Sequence, residues 1–242
     1  MRIAIVSDIH SNLPAFESVL RDAEREGPLD AVWSLGDLVG YGPHPNECIA
    51  LLRRYQHVNV AGNHDLAACG RMGTEEFNAA AATAAQWTNE QLTPDSRNYL
   101  EELPQTVTEH DFAFAHGSLR EPVWEYLLSG EQALVQFELQ PTPYSAVGHS
   151  HLPFVCREEP GATPQLRPAS DGECVELRDE RLIVNPGSVG QPRDGDPRAG
   201  YALLENGTLT FRRIEYDIAA TQRAMDGADL PVWLIERLSV GR

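Results

Sequence analysis

The sequence contains no lysine. All 19 basic residues are arginine, which excludes Schiff-base chemistry, a pyridoxal-phosphate anchor and a Walker-type phosphate lysine. Cysteine is scarce and scattered. Cys48, Cys69, Cys156 and Cys174 form no C-x-x-C pair, so neither a disulfide framework nor a thiolate zinc site is indicated, and the four read as inert, buried thiols. No apolar run approaches the roughly 20 residues that span a bilayer. The apolar start Ile3-Ala4-Ile5-Val6 meets an acid at Asp8 too soon for a secretory segment, so a cytoplasmic protein with no membrane partner is expected. Positive charge is in deficit, 19 basic against 36 acidic residues for a net charge of -17. That balance opposes adsorption to polyanions, and no long nucleic acid is expected as a partner.

What is present is a soluble, globular composition, 42% hydrophobic and 23% charged over 242 residues, read as a single domain over residues 1–242. Arg2 to Ser7 is an apolar run suited to a strand buried on both faces. Leu13, Phe16, Val19, Leu20 and Ala23 then recur at helical spacing behind Pro14, and Gly27-Pro28 closes that helix. Ala31 to Leu35 predicts a second strand, Asn46 to Arg54 a helix and His57 to Ala61 a third strand. Such strand, polar loop and helix units in succession predict parallel strands in an α/β sheet. The Ala/Glu-rich stretch 74–103 predicts two helices broken near Pro94, read either as packing elements or as helices that shape the active-site entrance. Later segments read mainly as strands, with a helix over Glu131 to Leu139, an Asn206-Gly207 hairpin, a helical tail and an exposed loop over Glu158 to Asp171.

The metal-capable side chains fall just past predicted strand ends. Asp8 and His10 follow the first strand, Asp37 the second and Asn63 and His64 the third. His116 follows Phe112-Ala113-Phe114-Ala115, and His149 and His151 follow Ala146-Val147-Gly148. In an α/β sheet the carboxyl ends of parallel strands share one edge, so these residues can converge. Oxygen and imidazole donors without thiolate suit Mn, Fe, Zn, Co or Ni. Seven such donors exceed the needs of one ion and suggest two. Asp8, His10, Asp37 and His151 are assigned to the first ion, and Asp37, Asn63, His116 and His149 to the second, with Asp37 as the bridge. Paired ions of this kind polarise phosphoryl groups and acidify water. His64 is placed to protonate a leaving alkoxide or to stabilise charge on the phosphoryl oxygens, without binding metal, and Asp65 to orient it or its neighbours.

Asp8-Ile9-His10, Gly36-Asp37, Gly62-Asn63-His64-Asp65, Ala115-His116-Gly117 and Gly148-His149-Ser150-His151 together resemble the calcineurin-like metallophosphoesterases. Asn185-Pro186-Gly187-Ser188-Val189-Gly190 is similar to a loop of their compact prokaryotic phosphodiesterase members. The resemblance implies a four-layer α/β/β/α sandwich, a dinuclear centre of Mn, Fe, Ni or Zn, and hydrolysis of phosphodiesters or phosphomonoesters by a metal-bridging hydroxide. In that family the acid histidine corresponds to His64. Asn185, Gly187 and Ser188 are read either as a tight turn or as substrate contacts, Tyr41 as a ring that stacks on a nucleobase or lines a loop, and Arg193 and Arg198 as solvated loop charges or a clamp for a second phosphate. The expected partner is a small phosphate ester, and the alternative is a catalytically silent, metal-binding scaffold for protein interaction.

Overall fold

A computed structural model describes residues 1–178 and 180–242. The chain opens with β1 (Arg2–Val6), α1 (Leu13–Ala23), β2 (Ala31–Ser34), α2 (Pro45–Leu52) and β3 (His57–Asn59), followed by α3 (Asn63–Cys69), α4 (Ala79–Gln91) and α5 (Pro94–Glu101). Next come β4 (Thr106–Glu109), β5 (Phe112–Ala115), α6 (Gly130–Leu139), β6 (Tyr144–Ala146), β7 (Phe154–Arg157), β8 (Leu166–Pro168) and β9 (Cys174–Glu176). The rest is β10 (Leu182–Asn185), β11 (Ala199–Glu205), β12 (Thr208–Ile214), α7 (Ile218–Gly227) and α8 (Val232–Glu236). Among the described residues no helix is long and apolar enough to cross a membrane.

The described strands form two six-stranded sheets, ordered β3-β2-β1-β11-β12-β9 and β4-β5-β6-β10-β7-β8. β1, β2 and β3 are parallel, as are β5, β6 and β10. Alternation along β1 explains how the layers stack. Ile3 and Ile5 pack with Trp33, Phe114, Val184 and Phe211 between the sheets, whereas Ala4 and Val6 pack with Phe16, Val19 and Leu20 of α1. On the other side, Ile183, Phe154 and Cys156 meet Ala133 and Phe137 of α6. The result is the expected α/β/β/α sandwich, in which each large buried aliphatic or aromatic side chain contributes roughly 1.5–3 kcal/mol. α1 starts where the Asn12 side chain accepts a hydrogen bond from the Ala15 N–H at 3.3 Å, with Pro14 in its first turn.

Several expectations are corrected. The stretch from Glu158 to Asp171 is not wholly loop, because β8 pairs with β7 inside it, and β9 adds a further edge strand beside β12. Both edges are three residues long and mostly exposed, so they lack the apolar alternation by which strands are recognised. Cys174 lies exposed on β9, while Cys48, Cys69 and Cys156 are buried. Asn63, His64 and Asp65 form the first turn of α3 rather than a loop. The sheet of the two later ligand-bearing strands, which the sequence leaves open, is the second one, so the ligand-type residues lie at the edges of both sheets. The helix break at Pro94 and the hairpin with Asn206 at φ 50° and Gly207 at φ 79° are as expected.

Candidate metal centre

Five strands deliver the site. Asp8 and His10 leave β1, Asp37 leaves β2 and Asn63 follows β3 in the first sheet, while His116 leaves β5 and His149 and His151 follow β6 in the second. Main-chain bonds tie these loops together: the Asp8 N–H donates to Gly36 at 3.1 Å, His10 to Asp37 at 2.9 Å and Gly148 to His116 at 2.8 Å. The side chains meet in the interior. His151 Nε2 lies 3.2 Å from Asp8 Oδ1, His116 Nε2 lies 3.3 Å from Asp37 Oδ2, and His10 Nε2 lies 3.6 Å from the same Asp37 oxygen. Asp8 with His10 and His151, and Asp37 with His116 and His149, each bring their ligand atoms within 4.8 Å of one another, and so do His10, Asp37 and His64. These residues and Asn63 are at most 4% exposed.

The donor set fits cations. Both Asp8 carboxylate oxygens, Asn63 Oδ1 and His149 Nε2 are buried without a hydrogen-bond partner, a costly state for polar atoms that bound ions relieve. Pairs of imidazole nitrogens face each other, His10 Nε2 and His151 Nε2 at 3.2 Å and His116 Nε2 and His149 Nδ1 at 3.0 Å. Behind them, Val39, Leu35 and Gln191 carbonyls accept from Nδ1 of His10, His116 and His151 at 3.2, 2.8 and 2.5 Å. Those acceptors select the Nδ1–H tautomer and turn each Nε2 lone pair inward.

Charge and backbone are both under tension here. Burial pushes Asp37 upward, but His116, His64 and His10 outweigh it and hold the carboxyl well below its usual range. Burial also opposes charge on His116, yet Asp37 and Asp8 raise it to about 9. Burial, with His116 nearby, lowers His149 to about 3, and burial holds His10 well below its ordinary value. Two ionised carboxylates therefore face one protonated imidazole at neutral pH, leaving the cluster net negative. Asp8, His10, Asp37, His149 and His151 all adopt left-handed backbone, with φ between 49° and 62°. This conformation costs about 1–2 kcal/mol for an L-residue, somewhat less for Asp and His, and persists only where neighbouring structure imposes it.

A family model, the calcineurin-like phosphoesterase superfamily domain, matches residues 1–208. The chain belongs to that superfamily. It is 36% identical to an uncharacterised protein of Methanocaldococcus jannaschii over 99% of this chain and 98% of that protein. It is 27% identical to phosphodiesterase YfcE of Escherichia coli K12 over 87% of this chain and 90% of that enzyme. A metallophosphoesterase from Sphaerobacter thermophilus superposes with a TM-score of 0.90 at 46% identity, covering 100% of this chain and 99% of its own. The chain is thus a metal-dependent phosphoesterase by family, with His/Asp clusters that can hold metal.

The phosphoesterase cleft over the cluster, about 80 Å³, is lined by Tyr41, Asn63, His64, Phe77, Trp124, Tyr126 and Arg193 among others. Tyr41 packs on His64 and His10 with ring centroids 4.2 and 4.5 Å apart. Phe77, from the 74–103 segment, packs on His64 at 4.7 Å, and Tyr126 stacks on His149 at 3.9 Å. Sequence reasoning missed Phe77, Trp124 and Tyr126. The aromatic run Trp124-Glu125-Tyr126, eight residues beyond His116, is a signal that could have found two of them. Burial, with Arg193 adding to it, lowers His64 to about 4. Asp65 accepts from the Gly62 and Val39 N–H groups, both at 3.0 Å, so its carboxylate anchors two loops, while burial and Asp37 raise it to about 7.

Asn185, Gly187 and Ser188 sit behind the ligand loops rather than along the cleft. Asn185 Nδ2 donates to the Gly148 carbonyl at 2.8 Å, the Gly187 N–H donates to Asn185 Oδ1 at 2.8 Å, and Ser188 Oγ donates to the Asp8 carbonyl at 2.9 Å. Asn185 and Ser188 are fully buried, and they brace the backbone of Gly148 and Asp8. Arg198 turns away to Asp171 and Asp196. Gly148 is held to glycine by contact: a Cβ there would lie 1.9 Å from Ser7 Oγ and 3.1 Å from Asp8 Oδ2. Gly148→Ala is accordingly expected to destabilise the protein by about 2 kcal/mol or more through overpacking. Ser7→Gly in the same chain should restore part of the loss. An unchanged denaturation midpoint in the single variant would contradict the contact.

Proposed function

We propose that this chain hydrolyses a phosphoester of a small molecule, preferring phosphodiesters, with two divalent ions of the Mn, Fe, Ni, Zn or Co type. The observation that carries the reading is the convergence of seven buried side chains from two sheets, several of which present atoms with no hydrogen-bond partner. Asp8, His10, Asp37 and His151 would hold one ion and Asp37, Asn63, His116 and His149 the other, with Asp37 shared. Bound there, such ions supply Lewis-acid polarisation of the phosphoryl group and acidify water. The diester preference is supported by likeness to YfcE, which is named a phosphodiesterase. The net charge of -17 favours a small substrate over a polyanion. Four free thiols suit a reducing cytoplasm.

His64 assists departure of the leaving oxygen. Its pKa, lowered to about 4, makes it neutral at pH 7, so it acts as a hydrogen-bond donor whose N–H stabilises the charge developing on the leaving oxygen. Phe77 and Tyr41 fix its ring. Asp65 keeps the Gly62 turn in register with Val39, and so sets where the His64 main chain begins. Asn185 and Ser188 hold the loops that carry His149 and Asp8.

The test is hydrolysis of bis(p-nitrophenyl) phosphate by protein reconstituted with manganese. Wild type should turn over, and His64→Ala should lose about 10²–10³-fold in kcat on a diester with an unactivated alcohol leaving group, and much less on the nitrophenyl ester, with its metal content intact. A fully metallated wild type inert towards diesters, monoesters and nucleotides would favour the scaffold instead.

A further inference from the structure

Among the described residues lining the cleft, Arg193 is the permanent cation, and no carboxylate pairs with it. One of its terminal nitrogens donates to Gln191 Oε1 at 3.1 Å, and its Nε is buried without an acceptor. Acids are not in short supply, since the chain has 36. Those of the same loop are engaged elsewhere: Asp194 pairs with Arg213, and Asp196 holds Arg198 at 2.7 Å. Glu76, which also lines the cleft, stays exposed and forms no ion pair with Arg193.

The loop is held in place from behind. The Gly195 N–H donates to the Gly241 carbonyl at 2.9 Å, and Gly241 is packed against Asp196. That terminal turn brings a second cation close, Arg237, stacked on Trp233 at 4.3 Å, with its Nε donating to the Arg242 carbonyl. Burial and then the charge of Arg193 push Arg237 down to about 10. Like charges crowded at the mouth of a site are relieved by a bound anion. A guanidinium fork with free donors matches phosphate oxygens.

We propose that Arg193 determines specificity by receiving a second negative charge on the substrate, beyond the single charge of a plain phosphodiester. The inference rests on the phosphoesterase reading above. The second charge sits either on the phosphorus under attack, as in a monoester dianion, or on a further phosphate of the same molecule, and one fork serves both. Diester cleavage is retained, and Arg193 ranks the esters by charge.

Three chromogenic esters separate these sources: thymidine 5′-(p-nitrophenyl phosphate), the same compound with a 3′-phosphate, and p-nitrophenyl phosphate. In metal-loaded Arg193→Gln, kcat/KM is expected to fall about 10- to 100-fold for one or both of the more highly charged esters. It should change less than about threefold for the singly charged one, with Arg193→Lys in between. A fall on the 3′-phosphorylated ester alone places the charge on a remote phosphate, and a fall on p-nitrophenyl phosphate places it on the attacked group. An equal fall on all three, or none on any, overturns the assignment. Inorganic phosphate titrated into the loaded proteins by calorimetry gives a readout apart from turnover. Its affinity should weaken by a similar factor in Arg193→Gln at unchanged metal content. If loaded wild type cleaves none of the esters, the phosphoesterase reading fails, and unchanged phosphate affinity in Arg193→Gln then overturns this inference separately.

Discussion

Asp37→Ala is expected to reduce kcat/KM on a chromogenic diester by about 10³-fold or more and to leave at most one ion per chain. Three roles meet in that carboxylate. Its Oδ2 lies 3.3 Å from His116 and 3.6 Å from His10, so it faces both halves of the cluster. Its Oδ1 accepts from the His64 main-chain N–H at 2.9 Å, which fixes the start of α3. It also supplies the negative charge that keeps His116 protonated when metal is absent. Asp37→Asn retains an acceptor for the His64 amide but not the charge, so it should still fold, less stably than wild type because the His116–Asp37 pair is lost, and be nearly inactive. Elemental analysis and turnover on the same preparation check this. A variant with two ions and activity within tenfold of wild type would remove Asp37 from its shared position.

Chelating the metal should lower the melting temperature, and the gap between loaded and metal-free protein should widen as pH rises. The sign follows from His116. Its pKa is raised from 6.5 to about 9 in the metal-free fold, so the His116–Asp37 pair stabilises that fold fully below pH 6.5 and ceases to do so as pH rises through about 9. A ligating His116 must be neutral, so loading at pH 7 should release about one proton, and apparent affinity should rise by about tenfold per pH unit up to about 9. At a thousandfold excess over Kd, ligation contributes about 4 kcal/mol, or roughly 8–16 °C for a chain of this size. Scanning calorimetry at pH 6 to 9, with and without chelator, measures the gap, and titrations in buffers of different ionisation enthalpy count the protons. A gap constant across that range would show that His116 does not exchange a proton for metal.

Fold and cluster were largely legible because chemistry and punctuation coincide in this sequence. Asp8 ends an uninterrupted apolar run, Asp37 follows a Gly after the next one, and the Gly62-Asn63-His64-Asp65 turn closes the third. What remained hidden was set by partners distant in sequence. Periodicity finds β5 and β6 but does not say that they belong to the second sheet, because that depends on β10 returning between β6 and β7. Leu166-Arg167-Pro168 carries no apolar stripe, so β8 is visible only through its pairing with β7. Asn185-Pro186-Gly187-Ser188 suits a brace and a binding loop equally well in sequence, and only burial distinguishes them. Arg193 and Arg198 look alike in their loop, yet one has two carboxylates around it and the other has none.

The two-sheet origin of the cluster has a consequence for how the protein can be divided. Residues 1–103 carry Asp8, His10, Asp37 and Asn63, whereas His116, His149 and His151 all come after α5. Neither piece owns a full coordination sphere, and each would expose the apolar face that Ile5 and Trp33 share with Phe114 and Val184. Metal capture is thereby a property of the closed sandwich alone. A split chain should recover it only when both pieces reassociate, which makes bound metal a reporter of assembly as well as a tool of catalysis.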